Sequence, residues 1–247
     1  MQTSGNTILL TGGTSGIGLA LAQRFHAAGN TVLITGRRIA LLDQITADHP
    51  GMIGHALDVT DAGAIRAFAA RVVADHPGLN VVIHNAGIMV AEDVTGDFLD
   101  TAEATIATNL LGPIRLTAAL MPHLLEQPRA TIMTVSSGLA FMPLTRTPTY
   151  CATKAAIHSW SQSLRVQLRD TAIEVLELAP PAVQTDLMPG HATDPTAMPL
   201  DDFIDEAMGI LGQNPTPPLV GVRRLDFLSR AEAEGRYDQT FARLNGL

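Results

Sequence analysis

The sequence predicts an α/β protein, in which helices cover both faces of a doubly wound parallel sheet in three layers, α/β/α. Two observations favour this class. Short apolar runs alternate with longer helical stretches, which is typical of repeated βαβ units. Apolar residues also make up 46% of the 247 residues, enough for a sizeable core. Because no linker interrupts the alternation before about Ala179, we expect one domain over residues 1–247.

Six apolar runs predict the strands, and five intervening stretches predict helices joined to them by right-handed crossovers. The strands are expected at Thr7–Thr11, Thr31–Thr35, Ile53–Leu57, Val81–His84, Ala130–Ser136 and Ile173–Leu178. The helices are expected at Ile17–Ala28, Ile39–Asp48, Ala62–Asp75, Thr101–Leu125 and Tyr150–Asp170.

Residues 180–218 have a different composition, with eight prolines. Such a stretch predicts an irregular segment around one short helix, Leu200–Leu211. Long irregular segments in compact domains are often lids over a binding site. A lid and a plain C-terminal cover remain open as alternatives.

Composition narrows the range of partners. The net charge of −8 argues against nucleic acid or an anionic membrane surface. No apolar run approaches a membrane span, and no secretory signal is visible, so we expect a cytoplasmic protein. Cys151 is the only cysteine and is expected to be a small buried side chain. The eight histidines are scattered, so no metal site is predicted.

A glycine-rich turn follows the first predicted strand and opens the first helix. Its residues run Thr11-Gly12-Gly13-Thr14-Ser15-Gly16-Ile17-Gly18. Glycines let a pyrophosphate approach the backbone, and the helix N-terminus offers free N–H groups and a positive dipole end. The turn therefore predicts a Rossmann-type dinucleotide site, with Gly12, Thr14, Ser15, Gly16, Ile17 and Gly18 as contacts.

The second strand ends at Thr35-Gly36-Arg37-Arg38, where an acidic residue would bind a ribose 2′-hydroxyl and an arginine would suit a 2′-phosphate. No acid is present, so NADP(H) is favoured, with Arg37 on the phosphate, and NAD(H) stays possible. The alternative is that both arginines are solvated surface charges.

The only lysine, Lys154, lies four residues after Tyr150, one of only two tyrosines. The chain has fifteen arginines, so lysine is replaced by arginine nearly everywhere except at this position. Residues four apart share a helix face. A nearby ammonium is expected to lower the phenol pKa from about 10, which suits Tyr150 as a general acid/base. Ser137, at the end of the fifth strand, is placed to bond a carbonyl oxygen where negative charge develops.

Together these motifs resemble the compact, single-domain branch of the short-chain dehydrogenase/reductase family, over about Asn6 to Thr185. The markers are the glycine-rich turn, Asp58-Val59, Asn85-Ala86-Gly87, Asn109, Ser137, Tyr150-x-x-x-Lys154 and Pro180-x-x-Val183-x-Thr185. Segments such as Ala107–Pro113 and Glu177–Thr185 are similar to the subgroup named after teichoic-acid D-alanylation.

The resemblance implies a catalytic tetrad of Asn109, Ser137, Tyr150 and Lys154, with Asn109 holding a water of the proton relay. It implies further cofactor contacts, from Asp58 to the adenine, from Lys154 to the nicotinamide ribose, and from Val183 and Thr185 to the carboxamide. The remaining implied cofactor contacts are Val59, Asn85, Ala86, Gly87, Tyr150 and Pro180.

Three departures from the family pattern matter. Pro181 stands where glycine is common and removes an N–H near the nicotinamide. Ser15 replaces the basic residue of many NADP-preferring members, so the NADP prediction depends on Arg37. The usual C-terminal strand and its Asp-Gly-Gly ending are not found, so a homodimer is expected before a tetramer.

We therefore predict an NADP(H)-dependent oxidoreductase that interconverts a carbonyl and an alcohol. Phe141, Met142 and Met188 suggest a hydrophobic substrate. One alternative is a non-catalytic NAD(P)-sensing module, against which the complete tetrad argues. Another is a sugar epimerase or dehydratase, for which the chain is short and the glycine spacing differs.

Overall fold

The computed structural model describes residues 1–247 and contains one seven-stranded sheet, all parallel, in the order β3-β2-β1-β4-β5-β6-β7. The strands are β1 (Thr7–Thr11), β2 (Thr31–Gly36), β3 (Ile53–Ala56), β4 (Leu79–His84), β5 (Ala130–Val135), β6 (Ile173–Leu178) and β7 (Leu219–Val220). The doubly wound α/β class is confirmed. The six predicted strands are present, with ends shifted by at most two residues.

Helices pack on both faces of the sheet, and every residue of the central strands β4 and β5 is buried. The helices are α1 (Gly16–Ala27), α2 (Ile39–Asp48), α3 (Ala62–Asp75), α4 (Leu99–Ile106), α5 (Gly112–Glu126), α6 (Pro148–Gln167), α7 (Leu200–Leu211), α8 (Asp226–Ser229) and α9 (Tyr237–Asn245). One core contains side chains of α1, α2 and α7, and the other contains those of α3 and α5. No helix combines the length and apolar character needed to cross a membrane.

The single helix predicted over Thr101–Leu125 is wrong. A π-helical turn, Ala107–Leu111, separates α4 from α5. Pro113 has no N–H to donate to the carbonyl four residues earlier, that of Asn109, so regular α-helical bonding is interrupted there. The turn places Asn109 in the interior, with 1% of its surface exposed.

The prediction that no further strand follows is also wrong. The short strand β7 pairs with β6 through Glu177–Leu219 and Leu178–Val220. Two residues give almost no alternation pattern, which is why the sequence does not reveal the strand.

Residues 180–218 contain α7 as predicted, together with a short helical turn, His191–Thr193. The segment is tied to itself near the cavity, since the N–H of Gln184 donates to Met198 O and the N–H of Met198 donates to Ala182 O, each at 2.8 Å. Whether it acts as a lid stays a prediction.

Candidate active site

A cavity of about 790 Å³ lies at the carboxyl ends of the strands, where loops from both halves of the sheet meet. This is the position where open parallel sheets bind ligands. The loops after β1, β2 and β3 and residues 85–88 after β4 line one end of the cavity, which we call the cofactor end. The other end, which we call the substrate end, is lined by Met89, Val90, Leu228, Leu244 and residues within 135–154 and 180–196.

Two glycines of the turn at the cofactor end have no room for a side chain. A Cβ on Gly12 would lie 2.7 Å from Ala86 Cα, and one on Gly18 would lie 2.3 Å from Gly12 O. Gly12 and Gly16 also have positive φ angles of 69° and 53°. Helix α1 begins at Gly16 without a side-chain cap, so its first N–H groups are available to an anion. These features fit the pyrophosphate of a dinucleotide.

Asn85 fixes this turn from the neighbouring strand. Its side-chain Nδ2 donates to Thr11 O and Gly12 O, both at 3.1 Å. The Thr11 hydroxyl in turn accepts the backbone N–H groups of Asn85 and Ala86, at 3.1 Å each. The loops after β1 and β4 therefore form one rigid wall of the cofactor end.

Both arginines after β2 line the cavity, and Arg38 is the better anchored of the two. Its guanidinium donates to Thr14 Oγ1 at 2.9 Å and to Ser15 Oγ at 3.1 Å. The sequence prediction assigned the 2′-phosphate to Arg37 alone and missed the bonds from Arg38 to Thr14 and Ser15. These bonds join residues 23 and 24 positions apart, so they depend on how β2 places the start of α2 beside the glycine-rich turn.

Asp58 lines the cavity after β3. Its Oδ1 accepts the backbone N–H of Thr60 at 2.9 Å and the Thr60 hydroxyl at 2.8 Å. The backbone bond is the largest cause that lowers the pKa of this carboxyl, and Arg37 contributes in the same direction. Asp58 is therefore a fixed anionic acceptor at the edge of the cofactor end.

Tyr150, Lys154 and Ser137 converge where the cofactor end meets the substrate end. Tyr150 and Lys154 lie one turn apart on α6, with the Lys154 Nζ 5.5 Å from the Tyr150 ring centroid. The Lys154 ammonium donates to Val135 O at 2.8 Å. Ser137 lies two residues beyond that carbonyl, and its Oγ accepts the N–H of Leu139 at 3.1 Å.

The net shift of the phenol pKa is upward, and the expected lowering by Lys154 stays a prediction. Burial raises the pKa of Tyr150 to about 12, against a smaller lowering effect of a hydrogen bond with Ser137. Burial also lowers the pKa of Lys154 to about 8. Desolvation disfavours the charged form of each group, so both shifts have one cause. At neutral pH the phenol therefore carries its proton.

Asn109 lies behind the cavity wall instead of lining it. Its amide makes two bonds with the backbone of Ile88, one accepted from the N–H and one donated to the carbonyl, both at 2.9 Å. Its Nδ2 also lies 3.3 Å from Thr153 Oγ1. The side chain thus holds the loop after β4 against α6. The expected water-holding role stays a prediction.

The structure brings the other expected site residues together around the cavity. The residues of the sequence prediction that line it are Gly12, Thr14, Ser15, Gly16, Ile17, Gly18, Arg37, Asp58, Val59, Asn85, Ala86, Gly87, Ser137, Tyr150, Lys154, Pro180, Val183 and Thr185. Pro181, the departure from glycine, lines it as well.

None of the three apolar residues that suggested a hydrophobic substrate lines the cavity. Phe141 packs edge-on against His158, with ring centroids 4.7 Å apart, and Met142 is fully buried beside Leu228. Met188 is buried and packs with Met89, Tyr150 and Cys151. Cys151 is buried and unpaired, as expected.

Other apolar side chains line the substrate end, and most were missed. They are Met89, Val90, Leu139, Leu144, Leu187, Leu228 and Leu244. Leu228 of α8 and Leu244 of α9 come from a region where no sequence motif was found. Asn245 docks α9 onto the 143–145 loop, because its Oδ1 accepts Thr145 N–H at 2.7 Å and its Nδ2 donates to Pro143 O at 3.2 Å.

Comparisons with known proteins agree with this geometry. Residues 6–195 match the family model of the short chain dehydrogenases. A solved short-chain dehydrogenase from Sphingobium yanoikuyae, in complex with NADPH, superposes with a TM-score of 0.80 at 27% identity and covers 94% of this chain and 95% of its own. The chain therefore belongs to the short-chain dehydrogenase family and is an oxidoreductase that acts with a nicotinamide cofactor.

Within the family, the chain is 45% identical over 191 residues to the uncharacterized oxidoreductase DltE of Bacillus subtilis, which covers 76% of this chain and 75% of that protein. The expected likeness to the teichoic-acid-named subgroup is thus confirmed. A sulfoacetaldehyde reductase of Chromohalobacter salexigens is 30% identical over 243 residues, 92% of this chain and 94% of that one.

Proposed function

We propose that the protein is an NADP(H)-dependent carbonyl reductase, or the reverse alcohol dehydrogenase, with Tyr150 as the general acid/base. The observation that carries this proposal is the convergence of Tyr150, Ser137 and Lys154 at one point of the cavity wall. A reduced nicotinamide, when bound, supplies the hydride. The protein's own residues must then hold the carbonyl and deliver a proton to its oxygen.

Tyr150 would supply the proton in the reductive direction. Burial raises its pKa to about 12, so the phenol carries its proton at neutral pH and needs a nearby positive charge to release it. The Ser137 hydroxyl would donate to the same substrate oxygen as charge develops there. The Lys154 ammonium, held by Val135 O, offsets the negative charge that the phenol acquires when its proton leaves.

The preference for NADP(H) over NAD(H) is supported by the two arginines after β2 and by the lack of an acidic residue at that turn. The guanidinium of Arg38, fixed on Thr14 and Ser15, lies beside the glycine-rich turn. Arg37 lies near Asp58 at the rim. A 2′-phosphate between them would gain charge-assisted hydrogen bonds that a 2′-hydroxyl lacks.

The substrate is proposed to be a small ketone, aldehyde or secondary alcohol with an apolar body. Leu139, Leu144, Leu228 and Leu244 supply apolar surface to the substrate end of the cavity. A carbonyl compound that carries an apolar group would bury it there and leave its oxygen to Tyr150 and Ser137.

A homodimer and a cytoplasmic location are part of the proposal. Ile106 and Leu99 of α4 and Val94 before it are exposed apolar side chains on one side of the molecule, which suits a subunit contact. Sedimentation equilibrium measures this directly, and a monomer at micromolar concentration would contradict it. The buried, unpaired thiol of Cys151 suits a reducing compartment.

The experiment has two stages. Titration with NADPH and NADH, followed by nicotinamide fluorescence, measures cofactor affinity without a substrate, and tighter NADPH binding is expected. A panel of apolar ketones and aldehydes is then tested for NADPH oxidation. Cofactor binding without turnover of any carbonyl or alcohol would favour the sensing alternative. No binding of either cofactor by folded protein would contradict the proposal.

A further inference from the structure

Helix α6, which carries Tyr150 and Lys154, rests on the sheet along a polar stripe. Lys154, His158, Ser161 and Arg165 lie at spacings of four, three and four, so they form one row along the helix. Each of the four side chains contacts β5 or β6. Because buried faces of helices are normally apolar, this row requires a physical reason.

The contacts of the stripe follow one another along the two strands. Beyond the Lys154–Val135 bond, His158 Nδ1 lies 2.8 and 3.0 Å from the two carboxylate oxygens of Glu177. Ser161 Oγ lies 2.7 Å from Thr134 Oγ1, and Arg165 Nε donates to Val175 O at 3.1 Å.

Glu177 occupies the centre of this arrangement. It lies on β6 in register with Thr134 of β5, and only 1% of its surface is exposed. Its carboxylate accepts the hydroxyl of Ser136 and faces the imidazole of His158. Ser136 is the residue next to Ser137, and His158 lies one helical turn beyond Lys154. One side chain therefore connects the segment that carries Ser137, directly after β5, to the helix that carries Tyr150 and Lys154.

Apolar contacts are not directional, so an apolar interface tolerates small axial shifts of a helix on a sheet. Hydrogen bonds weaken steeply away from their preferred distance and angle, so a row of them selects one register. A buried carboxylate is costly to desolvate, and selection of register is the best-attested reason to retain such a group.

We infer that Glu177 is a positioning residue, whose buried carboxylate fixes the register of α6 on β5 and β6 and so sets Tyr150 and Lys154 opposite Ser137. The expected effect of Glu177 on turnover rests on the proposed function. The expected effect of Glu177 on the surroundings of Lys154 does not, because it can be observed without a substrate.

The test compares Glu177→Gln with Glu174→Gln. Both make the same substitution on β6, but Glu174 lies near the opposite end of the strand and pairs with the N-terminal amine at 3.0 Å. For a carbonyl reduced by the wild type, we expect Glu177→Gln to lower kcat about 10- to 100-fold, since small misplacements of reacting groups have effects of this size. We expect its KM and its NADPH affinity to stay within about twofold. Glu174→Gln should match the wild type.

A second readout uses the fact that Lys154 is the only lysine. Labelling with [ε-¹³C]lysine gives one side-chain signal, whose position and pH titration report the surroundings of the amine. We expect Glu177→Gln to move this signal and its titration midpoint, while the signal of Glu174→Gln coincides with that of the wild type. A moved signal in a protein whose wild type reduces no carbonyl would support the positioning role and contradict the proposed function.

Loss of stability with unchanged kcat and an unchanged lysine signal would overturn the inference and leave Glu177 with a purely structural role. If Glu177→Gln does not fold, His158→Ala breaks the same connection from the helix side, with the exposed Ser163→Ala on α6 as its control. The same pattern of kcat, KM and lysine signal is then expected, and equal behaviour of the two variants would overturn the inference.

Discussion

The two ends of the cavity are built in different ways. The cofactor end is made of short loops that directly follow β1, β2, β3 and β4, and its shape depends on glycines and on bonds such as those from Asn85 to the turn after β1. The substrate end is made of side chains far apart in the chain, for example Leu139 and Leu244. Backbone loops of adjacent strands thus form the first, and the packing of separate apolar side chains forms the second. Substitutions at the two ends should therefore separate cofactor binding from substrate selection.

The largest effect is expected at the point where the two ends meet. Tyr150→Phe removes the proton donor and should lower kcat about 100- to 10,000-fold, the usual contribution of general acid catalysis. Its NADPH affinity should stay close to the wild-type value in the fluorescence titration. The other tyrosine, Tyr237, is partly exposed on α9, so Tyr237→Phe is the matched control. Full turnover by Tyr150→Phe would contradict the mechanism.

The next effect concerns the stability of the strand that supports the cofactor end. Burial lowers the pKa of His84, at the end of β4, from 6.5 to about 4, so the unfolded chain binds a proton that the folded protein does not. The free energy of unfolding should therefore fall as the pH drops from about 6.5 to 4, by about 3 kcal/mol in total.

Urea unfolding at several pH values measures this contribution. His84→Gln keeps a polar partner for Thr117, whose hydroxyl lies 2.7 Å from His84 Nε2, and should flatten the dependence on pH. An equally steep acid dependence in the variant would assign the loss of stability to other groups.

A smaller effect is expected on cofactor choice. Arg38→Ala should weaken NADPH binding about 10- to 100-fold, because it removes a hydrogen bond to a charged group, and losses of such bonds have effects of this size. It should change NADH binding little. Arg169→Ala, at an exposed pair with Asp170, is the control. Equal losses for the two cofactors would show that Arg38 supports the turn after β1 and does not read the 2′-phosphate.

The smallest effect is expected at the substrate end. Asn245→Ala removes the two bonds that dock α9 on the 143–145 loop, and should raise the KM for the carbonyl about fivefold while the NADPH affinity stays constant. Leu247→Ala, two residues further on and 83% exposed, is the control. A loss of NADPH affinity in Asn245→Ala would contradict the separation of the two ends.

The sequence predicts the cofactor end well because strand, turn and helix follow each other directly there, so residue spacing determines position. The same holds for Tyr150 and Lys154, which one helical turn brings together. Prediction from sequence does less well where position depends on packing. Nothing local indicates that Phe141 turns toward His158 or that Glu177 meets both Ser136 and His158.

The wall formed by Leu228 and Leu244 lies outside the parallel sheet, and both side chains belong to the apolar cluster around Met142 and Ala231. Changes in size at these two positions would reshape the space beside Tyr150 without disturbing the glycine-rich turn or the strands beneath it. A lineage of such proteins can therefore shift its range of substrates through a few substitutions in α8 and α9, while the nicotinamide chemistry is inherited intact. Exchange of residues 226–245 between relatives would test whether this region alone changes the range of substrates.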